Sequence, residues 1–265
     1  MMKIPFTKMH GAGNDFIMVD DQELMFPLND KGFIRRVTAR RTGIGCDGIL
    51  LIQPSAVADF RMRFVNPDGG EQDMCGNGAR CIARMAHDLG IAPEKMTIET
   101  EAGIVKAEVL KNKICLELTD PTDLKLNVPT GLEWSIDFVN TGVPHAVVWV
   151  DDLKTLDLSK VGKQIREHER FAPDGTNVNV AKVETDGSLS IRTYERGVEG
   201  ETLACGTGAT AVALLAAERD RVKLPVTVHC AGGFDLVIDS VPGTTTLTGG
   251  AEYVFYGELE YGNRV

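Results

Sequence analysis

The chain has 265 residues, of which 43% are hydrophobic, and this is enough for one large domain or two smaller ones that each bury a core. Its formal net charge of −10 would repel a phosphate backbone, which excludes nucleic acid as an expected partner. The first residues lack the apolar core of a signal peptide and no apolar run is long enough to cross a bilayer, so we expect a cytoplasmic protein that does not enter a membrane.

The first half of the chain contains a strand, a polar turn, a Cys-Gly-x-Gly element and a helix, in that order. The alternation of FRMRFV at 60–65 predicts the strand. The element begins at Cys75, and Gly90 is placed to end the helix that follows it. That helix is predicted to have one apolar face, formed by Ile82, Met85, Ala86 and Leu89.

The second half repeats this order. The strand LSIRTY at 189–194 precedes a second Cys-Gly-x-Gly element, which begins at Cys205. The next helix is apolar on nearly every side, with Val212, Leu214 and Leu215 among its residues. Because no face of it suits water, we expect it to lie inside a sheet.

Three pairs of segments match across the chain at nearly one spacing. DMCGNGARCI and LACGTGATAV place Cys75 and Cys205 130 residues apart, and MTIETEAG (96–103) matches VTVHCAGG (226–233) at the same spacing. FIMVDD (16–21) matches VVWVDD (147–152) at a spacing of 131. Recurring strand composition explains one match but not a shared spacing, so we infer an internal duplication.

The duplication predicts an α+β protein of two pseudo-symmetric domains, with residues 1–120 carrying Cys75 and residues 121–265 carrying Cys205. If the two halves face one another, the two helix starts would lie in one cleft. Whether the last strand, at 253–261, packs on the first domain stays open.

Each Cys-Gly-x-Gly element places a thiol at the start of a helix. Unpaired N–H groups and the helix dipole there favour the thiolate, and the glycines leave the backbone open to a carboxylate. One such element is more simply a turn with a buried cysteine. Two copies suit racemisation, which needs one group to remove the Cα proton and another to protonate the opposite face.

We therefore predict a racemase or epimerase of an amino acid in which Cys75 and Cys205 exchange these roles. The helix starts would stabilise the charge that develops on the substrate carboxylate, so no metal, pyridoxal phosphate or other cofactor is expected. Two GxG pairs, at 11–13 and 43–45, lack the full dinucleotide motif and are interpreted as tight turns. The remaining cysteines, interpreted as packing residues, are Cys46, Cys81, Cys115 and Cys230.

Eight motifs along nearly the whole chain together resemble the diaminopimelate epimerase family. They are HGAGNDF (10–16), GIGCDG (43–48), NPDG (66–69), MCGNGARC (74–81), GVPH (142–145), TNV (176–178), YERG (194–197) and ACGTG (204–208). The resemblance implies conversion of LL-diaminopimelate to the meso form, a step in bacterial lysine and peptidoglycan supply, by a homodimer. It also implies two similar domains, each a mixed, barrel-like β-sheet wrapped around a central helix, with the active site in the cleft between them. In one direction of the reaction, the resemblance implies that Cys205 abstracts the proton and Cys75 donates one. The reacting carboxylate would be held by backbone at Gly76, Asn77, Gly206 and Thr207.

The resemblance further implies which side chains surround the substrate. The substrate-binding residues carried over from the family are Asn14, Asn66, Asn177, Glu195 and Arg196. Arg196 has an independent rationale, because a guanidinium binds a carboxylate well and this substrate has a distal one, although alone it would equally suit a surface ion pair. His145 and Glu195 resemble the pair that tunes the two thiols. Val143 and Gly48 stand where some members have Asn and Gln, so those contacts are expected to be absent or replaced.

Two alternatives remain open. A related racemase of another amino acid, such as histidine or glutamate, would keep both cysteines and change the pocket for the distal group, where Arg196 favours a carboxylate. A non-catalytic duplicated module could use its two helix starts to hold an anion. The paired cysteines argue against that module, because Ser or Gly would bind an anion as well.

Overall fold

The computed structural model describes residues 2–262, which form four α-helices, one short 3₁₀-helix and eighteen β-strands. The chain divides into two compact units. The first unit consists of the residues up to Leu116 together with a segment that starts at Gly249, and the second unit is Glu117–Thr248. Within the described residues, every helix is too short or too polar to span a membrane.

The first unit contains eight strands from the N-terminal part of the chain and two helices. The strands are β1 (Met2–Gly11), β2 (Asn14–Asp20), β3 (Gly48–Gln53), β4 (Phe60–Val65), β5 (Glu71–Gln72), β6 (Lys95–Thr100), β7 (Gly103–Leu110) and β8 (Lys113–Leu118). Helix α1 (Lys31–Thr38) lies between β2 and β3 in the chain, and α2 (Gly76–Asp88) lies between β5 and β6.

The second unit has the same succession of elements after one additional strand. Its strands are β9 (Thr122–Val128), β10 (Ile136–Asn140), β11 (Pro144–Trp149), β12 (Asn177–Val183), β13 (Leu189–Glu195), β14 (Gly200–Thr202), β15 (Val226–Cys230), β16 (Asp235–Val241) and β17 (Thr244–Gly250). Helix α3 (Leu158–Arg166) and the 3₁₀-helix Glu169–Phe171 precede β12, and α4 (Gly206–Glu218) precedes β15.

The strands pair in the same order and direction in both units. In the first unit β1 pairs antiparallel with β2, β2 parallel with β3, and β3 antiparallel with β4. β4 also pairs antiparallel with β5 and parallel with β6, and β7 pairs antiparallel with β6 and β8. The strands β10 to β17 repeat each of these pairings. The predicted duplication, and with it the α+β class with mixed sheets, is confirmed.

A ninth strand completes each unit from a different part of the chain. In the second unit β9 pairs antiparallel with β10, and in the first unit β18 (Glu252–Tyr261) pairs antiparallel with β1. The last strand, whose place the sequence left open, therefore belongs to the first unit. The sequence boundary after residue 120 separates the repeats, whereas the compact units divide near Leu116 and again near Gly249.

The sheet register corrects one detail of the sequence match. Phe16 pairs with Gly48 where the ladder of β2 and β3 begins, and His145 pairs with Asn177 at the same point of β11 and β12. The register thus equates Phe16 with His145 at a spacing of 129, and the match of Phe16 with Val147 is wrong by two residues.

Each unit is built around one helix, as predicted. Helix α2 contacts β1, β2, β3 and β7, and α4 contacts β10 to β13, β15 and β16. The nine residues from Gly208 to Ala216 are all buried, which confirms that α4 lies inside its sheet. Leu89 is 52% exposed, so its predicted place on the buried face of α2 is wrong. The helix ends at Asp88, and the positive φ of 71° at Gly90 turns the chain away.

Candidate active site

The two candidate cysteines occupy the N-cap positions of the two central helices. Cys75 precedes α2 with φ −144° and ψ 116°, and Cys205 precedes α4 with φ −126° and ψ 113°. The carbonyl oxygen of each accepts the N–H of the alanine four residues later, at 2.7 Å for Ala79 and 2.9 Å for Ala209. The backbone therefore presents both thiols in the same way.

In the first unit, the amide of Asn14 lies beside the Cys75 thiol. The Cys75 Sγ donates to Asn14 Oδ1 at 3.5 Å, and Asn77 Nδ2 lies 3.5 Å from the same oxygen. Asn14 Nδ2 donates to Asp47 Oδ2 at 2.6 Å. Because an ionised carboxylate only accepts hydrogen bonds, Asp47 fixes the orientation of the amide and directs its oxygen at the thiol.

A network of charges holds Asp47 in place. Arg40 Nη2 donates to Asp47 at 2.7 Å and to Asp15 at 2.6 Å, and Lys8 Nζ donates to Asp15 at 2.5 Å. Burial by itself would raise the pKa of Asp15, but the hydrogen bonds from Arg40 and Lys8 outweigh it and hold this pKa below its ordinary value. The sequence analysis missed Asp47, although its place in the GIGCDG motif was a signal.

A fully buried arginine lies behind the first helix start. Arg80 Nη2 donates to Asn77 Oδ1 at 2.8 Å and Arg80 Nε donates to Gly250 O at 3.2 Å, so the Asn77 side chain is held from within the unit. The space at Gly76 is open, since a Cβ built there would meet no atom of the described residues within 4 Å. Asn66 lies in the turn after β4, where its N–H donates to Gly70 O at 2.7 Å.

In the second unit, Cys205 is buried next to an acidic side chain. Its Sγ lies 3.4 Å from Thr207 Oγ1. Burial, and then the Glu195 carboxylate, raise the pKa of Cys205 well above its ordinary value, while the hydroxyl of Thr207 and the N–H of Gly208 act in the opposite direction. The helix start therefore lowers the pKa of this thiol through the Gly208 N–H, as expected, but burial and Glu195 outweigh this effect. Glu195 Oε1 accepts a hydrogen bond from Thr202 Oγ1 at 3.0 Å.

His145 is fully buried and lies next to Thr207. Its Nε2 is 2.9 Å from Thr207 Oγ1, and its Nδ1 is 3.1 Å from Asn179 Nδ2. Burial, assisted by the charge of Arg196, lowers the pKa of His145 to about 3. The imidazole is therefore neutral at ordinary pH, and it affects its neighbours through fixed hydrogen bonds rather than through its own titration.

Asn177 connects two of the motifs in this unit. Its Nδ2 donates to Pro144 O at 3.1 Å, and its Oδ1 accepts the backbone N–H of Arg196 at 2.9 Å. The Arg196 guanidinium donates to Asp174 O at 3.3 Å and is half-buried. The carbonyl oxygen of Thr207 accepts from Thr141 Oγ1 at 3.0 Å, which fixes the first turn of α4.

The predicted site residues thus form one group in each unit. The first group consists of Asn14, Cys75, Gly76 and Asn77, with Asn66 in a turn of the same unit; the second consists of His145, Asn177, Glu195, Arg196, Cys205, Gly206 and Thr207. The sequence analysis missed Asn179 and Thr193, which are buried in the second unit. The sequence held no clear signal for them, because the spacing of 129 that equates Asn179 with the apolar Leu50 comes from the sheet register.

Three of the other four cysteines are buried, as expected for packing residues, and the fourth is half-buried. Cys81 is fully buried in α2, where burial raises the pKa of its thiol to about 12. Burial likewise raises the pKa of Cys46 to about 11. Cys230 is buried and Cys115 is half-buried.

Comparison with known proteins agrees with these observations. The family model described as diaminopimelate epimerase matches residues 6–122 and again 138–254. The diaminopimelate epimerase of Aquifex aeolicus is 43% identical over 96% of this chain and 97% of its own length. That of Archaeoglobus fulgidus is 42% identical over 97% of both.

Solved structures with low sequence identity share the fold. A phenazine biosynthesis protein of the PhzF family from Bacillus anthracis has a TM-score of 0.75 at 19% identity and covers 98% of this chain and 100% of its own. A probable proline racemase from Agrobacterium radiobacter has a TM-score of 0.67 at 18% identity, covering 97% and 93%. The identity over nearly full length, together with two matches of one family model, places this chain in the diaminopimelate epimerase family and makes it an isomerase.

Proposed function

We propose that the protein interconverts LL- and meso-2,6-diaminopimelate without a cofactor, with Cys75 and Cys205 as the two acid–base groups at one substrate carbon. The observation that carries the proposal is the equivalent N-cap position of the two cysteines in a chain of this family. Epimerisation needs two groups of this kind, because the proton leaves one face of the carbon and another arrives at the opposite face.

The surroundings of the thiols suggest their roles in the LL-to-meso direction. Asn14 Oδ1 accepts a hydrogen bond from Cys75, which favours the protonated thiol of a proton donor. Cys205 acts as the base after its proton passes to the Glu195 carboxylate, the charged neighbour that raises its pKa. The Cys205 thiolate then takes the Cα proton while the Cys75 thiol gives its proton to the other face. The thiol and thiolate are exchanged at the end of this step, which prepares the reverse reaction.

The negative charge of the transition state needs stabilisation by the protein. As the Cα–H bond breaks, electrons move into the substrate carboxylate, where N–H groups of Gly76–Asn77 and Gly206–Thr207 would bind them. The open space at Gly76 is consistent with this contact. Arg196 would hold the distal carboxylate, and its backbone is fixed by Asn177. Asn14, Asn66 and Glu195 would complete the binding of the amino groups.

A hydrogen-exchange experiment tests the reaction and its substrate. Purified protein is incubated in heavy water with LL-diaminopimelate and, separately, with a panel of other L-amino acids. Deuterium should enter the Cα of diaminopimelate at the centre that inverts, and the other amino acids should remain unlabelled. Label in another amino acid and none in diaminopimelate would instead identify a related racemase.

Mild oxidation tests whether the two thiols reach one carbon. A disulfide between Cys75 and Cys205 should form and stop turnover, and a reductant should restore it, because thiols on opposite sides of one carbon come close to the range of a disulfide. Peptide mapping identifies the linked pair. Full activity after complete oxidation of both thiols would contradict the two-base scheme.

A further inference from the structure

The interiors beneath the two helix starts differ in polarity at equivalent positions. Leu50 pairs with Phe64 in the first unit, and Asn179 pairs with Thr193 at the same place in the second. Together with the equivalence of positions 16 and 145, this register defines two matched groups. The apolar trio is Phe16, Leu50 and Phe64, and the polar trio is His145, Asn179 and Thr193.

Side chains from both trios lie next to the second glycine of the Cys-Gly-x-Gly element of their unit. A Cβ on Gly78 would come within 2.9 Å of Leu50 Cδ1 and 3.5 Å of Phe16. A Cβ on Gly208 would come within 2.5 Å of Asn179 Oδ1. The apolar trio packs by ordinary aromatic contact, with the rings of Phe16 and Phe64 edge to face at 5.9 Å.

The fold alone does not require polar side chains at these positions. The first unit fills the same space with three apolar groups, whereas the polar trio is buried to at least 98%. Buried polar groups cost free energy unless each is hydrogen-bonded, and they constrain direction when they are. The hydrogen bonds of the polar trio therefore indicate what it does.

The carbonyl group of Ala146 determines the direction of these hydrogen bonds. The amide atom of Asn179 that lies 3.2 Å from Ala146 O must be Nδ2, because a carbonyl oxygen only accepts. The same Nδ2 faces His145 Nδ1, which must therefore be the unprotonated nitrogen. The ring proton is on Nε2 and is donated to Thr207 Oγ1.

The hydrogen bonds at the two ends of this chain run in the same direction. Thr193 Oγ1 donates to Asn179 Oδ1 at 2.9 Å, which holds the amide from behind. Thr207 Oγ1 accepts from His145, so its own hydrogen is available for the Cys205 Sγ at 3.4 Å. Asn179, His145 and Thr207 each accept on one side and donate on the other, and the last acceptor is the Cys205 sulfur.

We propose that the polar trio is a one-way hydrogen-bond relay that makes Thr207 a donor to the Cys205 sulfur, with Asn179 as a positioning residue that sets its direction. The relay deepens the proposed function and rests on it for the role of Cys205 as a base. It stabilises the thiolate at Cys205 against the effect of burial, which is the largest cause of the raised pKa of this thiol. Of the charged groups nearby, Glu195 acts on the thiol and Arg196 on the imidazole.

Alkylation of Cys205 by iodoacetamide tests the relay on the full-length protein, because only the thiolate reacts. Rates at about pH 8 are measured by mass spectrometry of the Cys205 peptide. Thr207→Val should slow the reaction about tenfold by removing a hydrogen bond to a charged acceptor, and Thr207→Ser should leave it within about twofold. Asn179→Leu, which installs the residue of the first unit, should slow it to a similar degree.

A double-mutant cycle separates a relay from a structural effect. In a relay, Asn179 acts only through Thr207, so Asn179→Leu should cause no further slowing when Thr207→Val is already present. Additive slowing, or an unchanged rate in Thr207→Val, would overturn the proposal. Cys75 in the same sample is the internal control and should keep its rate. If Asn179→Leu fails to fold, the Thr207→Val and Thr207→Ser pair decides the matter.

The outcome is separable from that of the proposed function. If the wild-type protein fails to exchange the Cα hydrogen of diaminopimelate, the reaction is wrong, and the alkylation rates still decide the relay. If exchange occurs and Thr207→Val alkylates like wild type, the relay alone is wrong.

Discussion

The two central helices, α2 and α4, have cysteine at the N-cap position, whereas the other two helices have aspartate there. Helices α1 and α3 begin with the N-cap residues Asp30 and Asp157, whose carboxylates accept backbone N–H groups of the first turn. A side-chain cap of this type contributes about 1 kcal/mol to stability. At Cys75 and Cys205 the side chain ends in a sulfur atom, which is a weaker hydrogen-bond acceptor than a carboxylate. This replacement at both central helices points to chemistry rather than to folding.

Alanine at either cysteine tests that interpretation. Cys75→Ala and Cys205→Ala should each reduce epimerisation by about 10²–10⁴-fold, because each removes one of the two proton-transfer groups of the proposed scheme. The unfolding midpoint in urea should change little. Cys115→Ala, at a half-buried strand position, is the matched control and should keep its turnover. Near-normal activity in either site variant would argue against the two-base scheme.

The buried His145 should make folding sensitive to acid. Its folded pKa is about 3 and its unfolded pKa is near 6.5, so the unfolded chain binds a proton that the folded chain rejects. The contribution is fully present above about pH 6.5 and is lost as the pH falls toward 3. His145→Phe introduces the residue of the first unit and removes this titration. Between about pH 7 and 4.5 it should therefore lose about 2.5 kcal/mol less stability than the wild type does. Urea unfolding at the two pH values measures this, and equal losses in both proteins would contradict it.

At the scale of elements, the central helices were predictable and the outer ones were not. The apolar spacing after Cys75 and the apolar run after Cys205 both predicted buried helices, and both predictions are confirmed. Helices α1 and α3 are short, with eight and nine residues, and the sequence analysis did not identify them. Their only strong signals are the capping residues Asp30 and Asp157, which are also common in turns.

The candidate site was predictable where function imposes rare residue patterns. The two thiols and their glycines stand out because a central helix seldom begins in this way. Asn179 was not identified because the alternation of Asn and Val in β12 is that of an ordinary half-buried strand, in which the Asn side chains face water. Only the sheet register reveals that Asn179 occupies the position of Leu50 in the first unit. Hydrogen-bond direction depends on atoms brought together by folding, so sequence spacing cannot supply it.

The second glycines of the two elements offer a test at the same scale. Gly208→Ala would force a methyl group against Asn179 Oδ1 at 2.5 Å and Cys205 Sγ at 3.3 Å. Gly78→Ala would meet the end of a leucine side chain, at 2.9 Å, which can rotate away. We expect Gly208→Ala to lose at least about tenfold more kcat than Gly78→Ala, because it displaces polar groups with fixed partners. Equal losses of kcat in the two variants would contradict this expectation.

At the scale of the whole molecule, the two units have the same strand topology, but only the second is formed by one continuous segment of the chain. The second unit uses one stretch of chain, whereas the first takes its ninth strand from beyond the second unit. The duplication predicted that the two halves share one fold, and eight strands of each unit pair in the same order. The place of β18 was not predictable, because its alternation suits either unit equally well.

Removal of β18 should therefore damage the first unit more than the second. A chain that ends at Gly250 leaves one edge of β1 without its ladder of nine paired residues, from Met2 to His10. We expect amide hydrogen exchange in β1 and α2 to become fast, while α4 keeps its protection, because β9 still pairs with β10. Equal loss of protection in α2 and α4 would show that the units do not differ in this respect.

The same arrangement has a consequence for synthesis of the protein. Ribosomes deliver β1 before and β18 after every strand of the second unit, so the first unit cannot close its sheet until the whole second unit has been translated. The later half receives every strand it needs in one uninterrupted stretch. Maturation should thus run against the order of translation, and a truncated product would expose an open β-edge that quality-control factors can recognise.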